Sequence, residues 1–274
     1  MKCNLYCCPL EPVLSRNPGL TTRIQFNSTL GVQNSNYSPR PALIRADLLD
    51  PMQGNTELAI CTGFLYRHGK DLYLVTNWHC FAGRDPNTEL PLFQQGTTPN
   101  RVGALFIQEG ELPKWSPHIF RLSNEDGNPL WYEHPEHGSK IDVGILPVQV
   151  PTGFKPFPIN DYRFDDIRIE VSQDVFIVGF PLGLTGPLFL PVWKRGTIAT
   201  EPSGNVGGLP KLLVDTATRG GMSGSPVVVR YRGYYKKDLS TDIPCPEDWF
   251  GQGDLFLGVT RDVWEMTNSN LSLE

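Results

Sequence analysis

The feature that most constrains this chain is its punctuation. Apolar residues come in short runs, each ended by glycine, proline or asparagine, and no segment sustains the 3.6-residue period of an amphipathic helix. With 27 glycines and 25 prolines in 274 residues, turn formers are plentiful. The pattern predicts an all-β fold. Many short strands leave many edges to satisfy, and closing the sheets into barrels is the way to remove them. The length suffices for one large domain or two packed lobes, each with its own core.

Taken in order, residues 1–40 are polar, contain proline and asparagine, and show no period, so they are expected to form an irregular arm. A first lobe is expected over 41–150. In it, Ala59–Tyr66 and Asp71–Thr76 read as two strands joined by a turn at Arg67–Lys70, a hairpin ending at Asn77-Trp78-His79-Cys80. Long loops fill 82–135 around brief runs such as Val102–Ile107, and Ile141–Val148 is a strand with an acid near its start. The proline- and aromatic-rich stretch 151–166 is the expected linker. A second lobe over 167–265 carries strands at Asp174–Pro181, Val192–Ala199, Lys211–Asp215 and Leu255–Thr260, with a polar loop at 231–253 and a tail at 266–274.

Composition excludes several functions. The formal net charge of −5 argues against nucleic-acid binding, which usually needs a basic patch. No run approaches the roughly 20 apolar residues that span a bilayer. The first nine residues lack the continuous apolar segment of a secretory signal, so a cytoplasmic location is expected. Six cysteines, at 3, 7, 8, 61, 80 and 245, are too few and too scattered for a disulfide-built scaffold. None has zinc-like spacing, so no metal site is expected.

The chemistry concentrates at Thr218-Arg219-Gly220-Gly221-Met222-Ser223-Gly224-Ser225-Pro226, followed by Val227-Val228-Val229. Glycines let a backbone bend tightly and aim N–H groups at one point, as an oxyanion hole requires. A serine hydroxyl is a poor nucleophile at neutral pH and needs a base. Of five histidines, His79 directly follows an apolar strand that can fix its ring. Asp142 lies between Ile141 and Val143, where a carboxylate is costly to bury unless paired. Every histidine precedes Ser223, which excludes the Ser–Asp–His order of α/β-hydrolases. His-Pro-Glu-His at 134–137 is read as a surface loop, because the proline disfavours a helix presenting both rings on one face.

Thr76–Cys80, Asp142–Leu146 and Gly221–Pro226 together resemble the three signature blocks of trypsin-like serine proteases, in the right order. Val178–Gly183 and Arg195–Ile198 are more similar to the bacterial, high-temperature-requirement-like branch than to digestive trypsins. The resemblance covers roughly residues 55–265. It implies two packed six-stranded antiparallel β-barrels with a serine endopeptidase site between them. His79 would be the general base, Asp142 the orienting acid and Ser223 the nucleophile, with the N–H groups of Gly221 and Ser223 as the oxyanion hole. A protein or peptide substrate is implied, and no cofactor. Cys61 and Cys80 fall where relatives often carry a disulfide, worth roughly 3 kcal/mol if closed, though a reducing cytosol would keep the pair open.

The sequence departs from the resemblance at two places. Met222 stands where trypsin-like zymogens carry the aspartate that receives a new N-terminus, so activation by N-terminal processing is not expected. Ala217, six residues before the serine, occupies the expected base of the primary specificity pocket and offers no charge to Lys or Arg. A small or medium apolar residue is the expected preference. The pocket walls are expected from Thr260, Arg261 and Asp262, and Arg261 leaves an acidic preference open. The alternative function is a protease-fold binding module with latent or lost catalysis, to which Met222 and the long polar segment 82–135 would suit.

Overall fold

The structure, a computed structural model, describes residues 3–4, 42–50, 54–93, 96–108, 115–161, 169–217, 219–235 and 249–261. Thr218, Asp262, Cys7, Cys8, Cys245, the tail 266–274 and the arm apart from residues 3–4 lie outside them.

The described residues form thirteen strands in two sheets, every strand pair antiparallel. A two-residue strand, β1 (Cys3–Asn4), belongs to the second sheet. The first sheet contains β2 (Ala42–Asp50), β3 (Gly54–His68), β4 (Asp71–Thr76), β5 (Arg101–Gln108), β6 (Trp115–Arg121) and β7 (Gly144–Val148), in the order β6-β5-β2-β3-β4-β7. Its seventh strand, β8 (Phe154–Lys155), pairs with β5, so part of the expected linker packs on this lobe. The second sheet adds β9 (Asp174–Gly179), β10 (Val192–Ile198), β11 (Val214–Thr216), β12 (Pro226–Tyr235) and β13 (Trp249–Val259), in the order β1-β11-β10-β9-β12-β13.

The expected hairpin is present. Phe64 to His68 pair with Asp71 to Val75, and the turn takes Gly69 at φ +58°. Closure into two six-stranded barrels is not observed. The first sheet has seven strands, and among the described residues neither sheet closes on itself. β3 is long enough to change partners, Gly54 to Gly63 pairing with β2 and Phe64 to His68 with β4, and the end strands β6 and β7 do not pair with each other. A second difference concerns the expected polar loop at 231–253, whose two ends are strand. Tyr231 to Tyr235 pair with Gly253 to Trp249, and Arg230 meets Asp254 across the ladder at 2.7 Å. The polar and glycine residues there hide a strand from a pattern built on apolar alternation.

Three apolar clusters hold the lobes. Leu65, Leu74 and Leu146 face one way with Phe81, Val102 and Phe106, forming the core of the first lobe. Their chain neighbours Phe64, Tyr66, Tyr73, Val75 and Ile145 face the other way and meet Val259 and Phe256 of β13. Phe64 and Phe256 touch edge to face, with ring centroids 5.5 Å apart. The central strands are thus buried on both faces, which is why they read as continuous apolar runs. The second cluster is the seam between lobes, and truncating Phe64 to alanine there would cost about 3–5 kcal/mol. Val175, Ile177, Ile198, Val227 and Val229 form the core of the second lobe together with Met222. Trp78 packs against Trp131 and Trp193 against Phe176. Among the described residues no helix is long and apolar enough to cross a membrane.

Candidate active site

Strand register brings the first two site residues together. β4 and β7 run antiparallel with Thr76 opposite Gly144. Residues just after Thr76 therefore lie beside residues just before Gly144. The chain leaves β4 through Asn77 into one helical turn, α1 (Trp78–Ala82), which ends at Gly83 in the left-handed region with its N–H bonded to the His79 carbonyl. Asp142 approaches from the other side. Its Oδ2 lies 2.7 Å from His79 Nδ1, and its Oδ1 accepts the His79 backbone N–H at 2.9 Å. Asn77 Nδ2 donates to the Asp142 carbonyl at 2.6 Å and fixes the loop that carries the acid.

Asp142 is buried, and burial alone would push its carboxyl up. The neighbouring His79, by charge and by hydrogen bond, and then the Arg261 guanidinium outweigh that effect and hold it below the usual carboxylate range. Arg261 Nε lies 3.5 Å from Asp142 Oδ2, and its Nη1 reaches Asn87 Oδ1 at 3.4 Å. An ionised Asp142 can only accept, so the proton between the two residues sits on His79 Nδ1. The lone pair of the neutral ring is then on Nε2.

Ser223 arrives from the second lobe, in the loop before β12, and the clamp on this loop is Thr62 of β3. The Thr62 N–H donates to the Ser223 carbonyl at 2.8 Å. Its hydroxyl donates to the Gly221 carbonyl at 2.6 Å and accepts the Phe180 N–H at 3.1 Å. On the far side, Thr260 Oγ1 donates to the Met222 carbonyl at 3.0 Å, and the Gly224 N–H donates to the Thr260 carbonyl at 3.2 Å. Two glycines are obligatory here. Gly221 has φ +90°, and a Cβ would stand 2.5 Å from the Phe180 carbonyl oxygen; Gly224 has φ +81° and is pressed against Thr62 and Thr76. The Leu182 N–H donates to the Gly220 carbonyl at 2.6 Å. In a trans peptide the Gly221 N–H points the opposite way, so this contact sets its direction.

His79 and Ser223 line one cavity of about 700 Å³, together with Gly220, Gly221 and Arg261. The cavity also receives Cys61 and Cys80, which are joined as a disulfide linking β3 to α1 with Cα atoms 6.5 Å apart. The specificity candidates are dispersed. Ala217 is exposed and does not line the cavity, because the alternation along β11 buries Val214 and Thr216 and turns the next residue outward. Thr260 is spent on the serine loop. Met222 is 1 % exposed in an apolar core, where no ammonium group could be accommodated. The 134–137 segment is not simply surface: His134 is buried, and its Nδ1 accepts the N–H groups of Glu136 and His137, closing its own turn.

Thr62, Asn77 and the Leu182 N–H were not singled out by sequence. The signal for Thr62 was its place as the lone aliphatic hydroxyl in the run Ala59–Tyr66.

Residues 61–233 match the family described as "Trypsin-like peptidase domain". No curated protein matches the chain. Among solved structures, the chain is similar to the active form of the Rv3671c protease from M. tuberculosis (18 % identity, TM-score 0.33, 82 % of this chain and 83 % of that one). It is also similar to the thermostable serine protease AL20 from an extremophilic microorganism (12 % identity, TM-score 0.42, 81 % and 92 % covered). The HtrA-type protease AlgW with a tripeptide matches at 12 % identity and TM-score 0.37, over 80 % of this chain and 56 % of that one.

Proposed function

The chain belongs to the trypsin-like peptidase family, and from that premise we propose that it is a serine endopeptidase acting through an acyl-enzyme on Ser223. The observation that carries the reading is the His79–Asp142 pair at 2.7 Å, opening onto the same cavity as Ser223. In the proposed reaction Ser223 Oγ attacks the scissile carbonyl while His79 Nε2 takes the hydroxyl proton. Asp142 keeps the ring in the right tautomer and stabilises the imidazolium. The oxyanion is received by the N–H groups of Gly221 and Ser223, a donor of this kind being worth about 10²–10³ in rate. His79 then gives its proton to the leaving amine, and water releases the acyl group by the same steps in reverse.

The substrate is a protein or peptide. Ala59, Ile60, Leu92 and Leu182 supply apolar wall to the cavity, while the Arg261 charge is engaged by Asp142 and Asn87. An apolar side chain beside the cleaved bond fits these walls better than an acidic one. Buried, apolar Met222 supports a site that needs no newly cut N-terminus.

A fluorophosphonate probe tests this directly. Wild-type protein is expected to label on one serine, with labelling lost in Ser223→Ala and strongly slowed in His79→Ala. Equal labelling of Ser223→Ala, or none of wild type alongside no cleavage of a peptide library, would replace the reading with a protease-fold binding module.

A further inference from the structure

Three metal donors meet beside the cavity. The ligating atoms of Cys61, His79 and Cys80 lie within 4.8 Å of one another, and no other group of this kind occurs among the described residues. All three residues line the cavity. Sequence spacing does not reveal them as a set, because Cys61 comes from β3 and the adjacent His79 and Cys80 from α1. We propose that opening the Cys61–Cys80 disulfide creates a Cys2His site for Zn²⁺ that withdraws His79 from catalysis.

In the disulfide the sulfurs carry no charge and are poor ligands. A dithiol reductant supplies two electrons: the S–S bond breaks, each sulfur takes up one proton, and the dithiol leaves as its own disulfide. Zn²⁺ then displaces both thiol protons and is held by two thiolates and one neutral imidazole, a complex with no net charge. Neutrality matters because Arg261 lines the same cavity. Zinc–sulfur bonds near 2.3 Å and zinc–nitrogen bonds near 2.0–2.1 Å place tetrahedral donors about 3.5–3.8 Å apart. Relative to the present cluster, the imidazole has to close by at most about an ångström, and the sulfurs part to about 3.8 Å. Cys61 lies in the middle of β3, so the adjustment falls on side-chain rotation and on the one-turn helix α1 that carries His79 and Cys80.

Asp142 already fixes the His79 ring. Its Nδ1–H is held by Asp142 at 2.7 Å, and a carboxylate behind the imidazole is the usual support for a zinc-bound histidine. The lone pair left for the metal is on Nε2, the one the proposed general base uses. Zinc and substrate turnover therefore compete for a single pair of electrons. The fourth coordination position opens to the cavity and takes water.

The test uses full-length protein in which Cys3, Cys7, Cys8 and Cys245 are changed to serine, leaving only the paired thiols. Oxidised and reduced samples are dialysed against Zn²⁺, and Co²⁺ is used as an absorbance reporter of thiolate ligation. We expect one Zn²⁺ per chain after reduction and none before it. Cys80→Ser should abolish binding, and His79→Ala should weaken it at least tenfold. Fluorophosphonate labelling should slow at least tenfold in the zinc-loaded form and recover after chelation. Equal zinc uptake by the oxidised protein or by Cys80→Ser, no thiolate–cobalt absorbance, or loss of the folded circular-dichroism signal on reduction would each overturn the proposal. Only the labelling arm rests on the proposed function: zinc binding as expected in a protein that never labels would sink the protease reading and leave the metal site standing.

Discussion

Thr62→Val is the substitution that asks most of the structure. Threonine and valine are nearly the same size, and the side chain is fully buried, so the change deletes a hydroxyl without opening a cavity. Two backbone groups lose their partner, the Gly221 carbonyl at 2.6 Å and the Phe180 N–H at 3.1 Å. A buried polar group left unsatisfied costs about 1–3 kcal/mol, which puts the loss at about 2–6 kcal/mol for the pair. For a protein of this size that lowers the melting temperature by about 4–24 °C. The same bonds hold the peptides around Gly221, so the proposed oxyanion donors lose their aim, and labelling by a fluorophosphonate should slow at least tenfold. Thr62→Ser keeps the hydroxyl and removes one methyl, with an expected cost of about 1 kcal/mol and near-normal labelling. The assays are denaturant unfolding and labelling rate on the three proteins. A valine variant within 0.5 kcal/mol of wild type that also labels normally would refute the idea that Thr62 clamps the serine loop.

Gly224→Ala forces a side chain onto a residue at φ +81° and against Thr62 and Thr76. It should lower stability by more than the roughly 1 kcal/mol of the backbone term alone, measured by thermal unfolding. The Asp142 carboxyl is held below its ordinary value by His79 and Arg261. It therefore stabilises the fold above the unfolded pKa of about 4 and loses that contribution as pH falls through the lower folded value. The stability gap between wild type and Asp142→Asn should be full at pH 7 and shrink below about pH 4; a gap constant with pH would contradict the pairing. Arg261→Gln removes a cation 3.5 Å from Asp142, one of the groups that hold its carboxyl low. In the Arg261→Gln background the stability gap opened by Asp142→Asn at pH 7 should be smaller than in wild type, and an equal or larger gap would show that Arg261 acts by some other route.

How much of this was legible in the sequence depended on where the cause lay. His79, Asp142 and Ser223 stood out because the chemistry admits few residue types and because β4 and β7 are regular enough to carry their register to the site. Thr62 did not, since a threonine in a strand is ordinary and its hydroxyl partners lie 118 and 159 residues away. Ala217 was placed by counting back from the serine, but the pleat of β11 sets which side chains face inward. The ends of the 231–253 segment were hidden by polar residues whose cross-strand pairing, Arg230 with Asp254, only the folded ladder creates.

These cases share a physical origin. The seam cluster joins β3, β4 and β7 to β13, and His79 and Asp142 come from one side of it while the serine loop comes from the other. Aligning them needs contacts across the seam, and backbone–backbone pairing within a sheet cannot provide these. The structure uses one hydroxyl and one N–H of Thr62, together with the Thr260 clamp on the far side of the loop. Stability and site geometry are therefore coupled at the same atoms. A substitution on the seam that leaves both lobes folded should still degrade the site, whereas one on the solvent face of β10, such as removal of the exposed Arg195–Asp174 pair, should alter neither by more than about 1 kcal/mol.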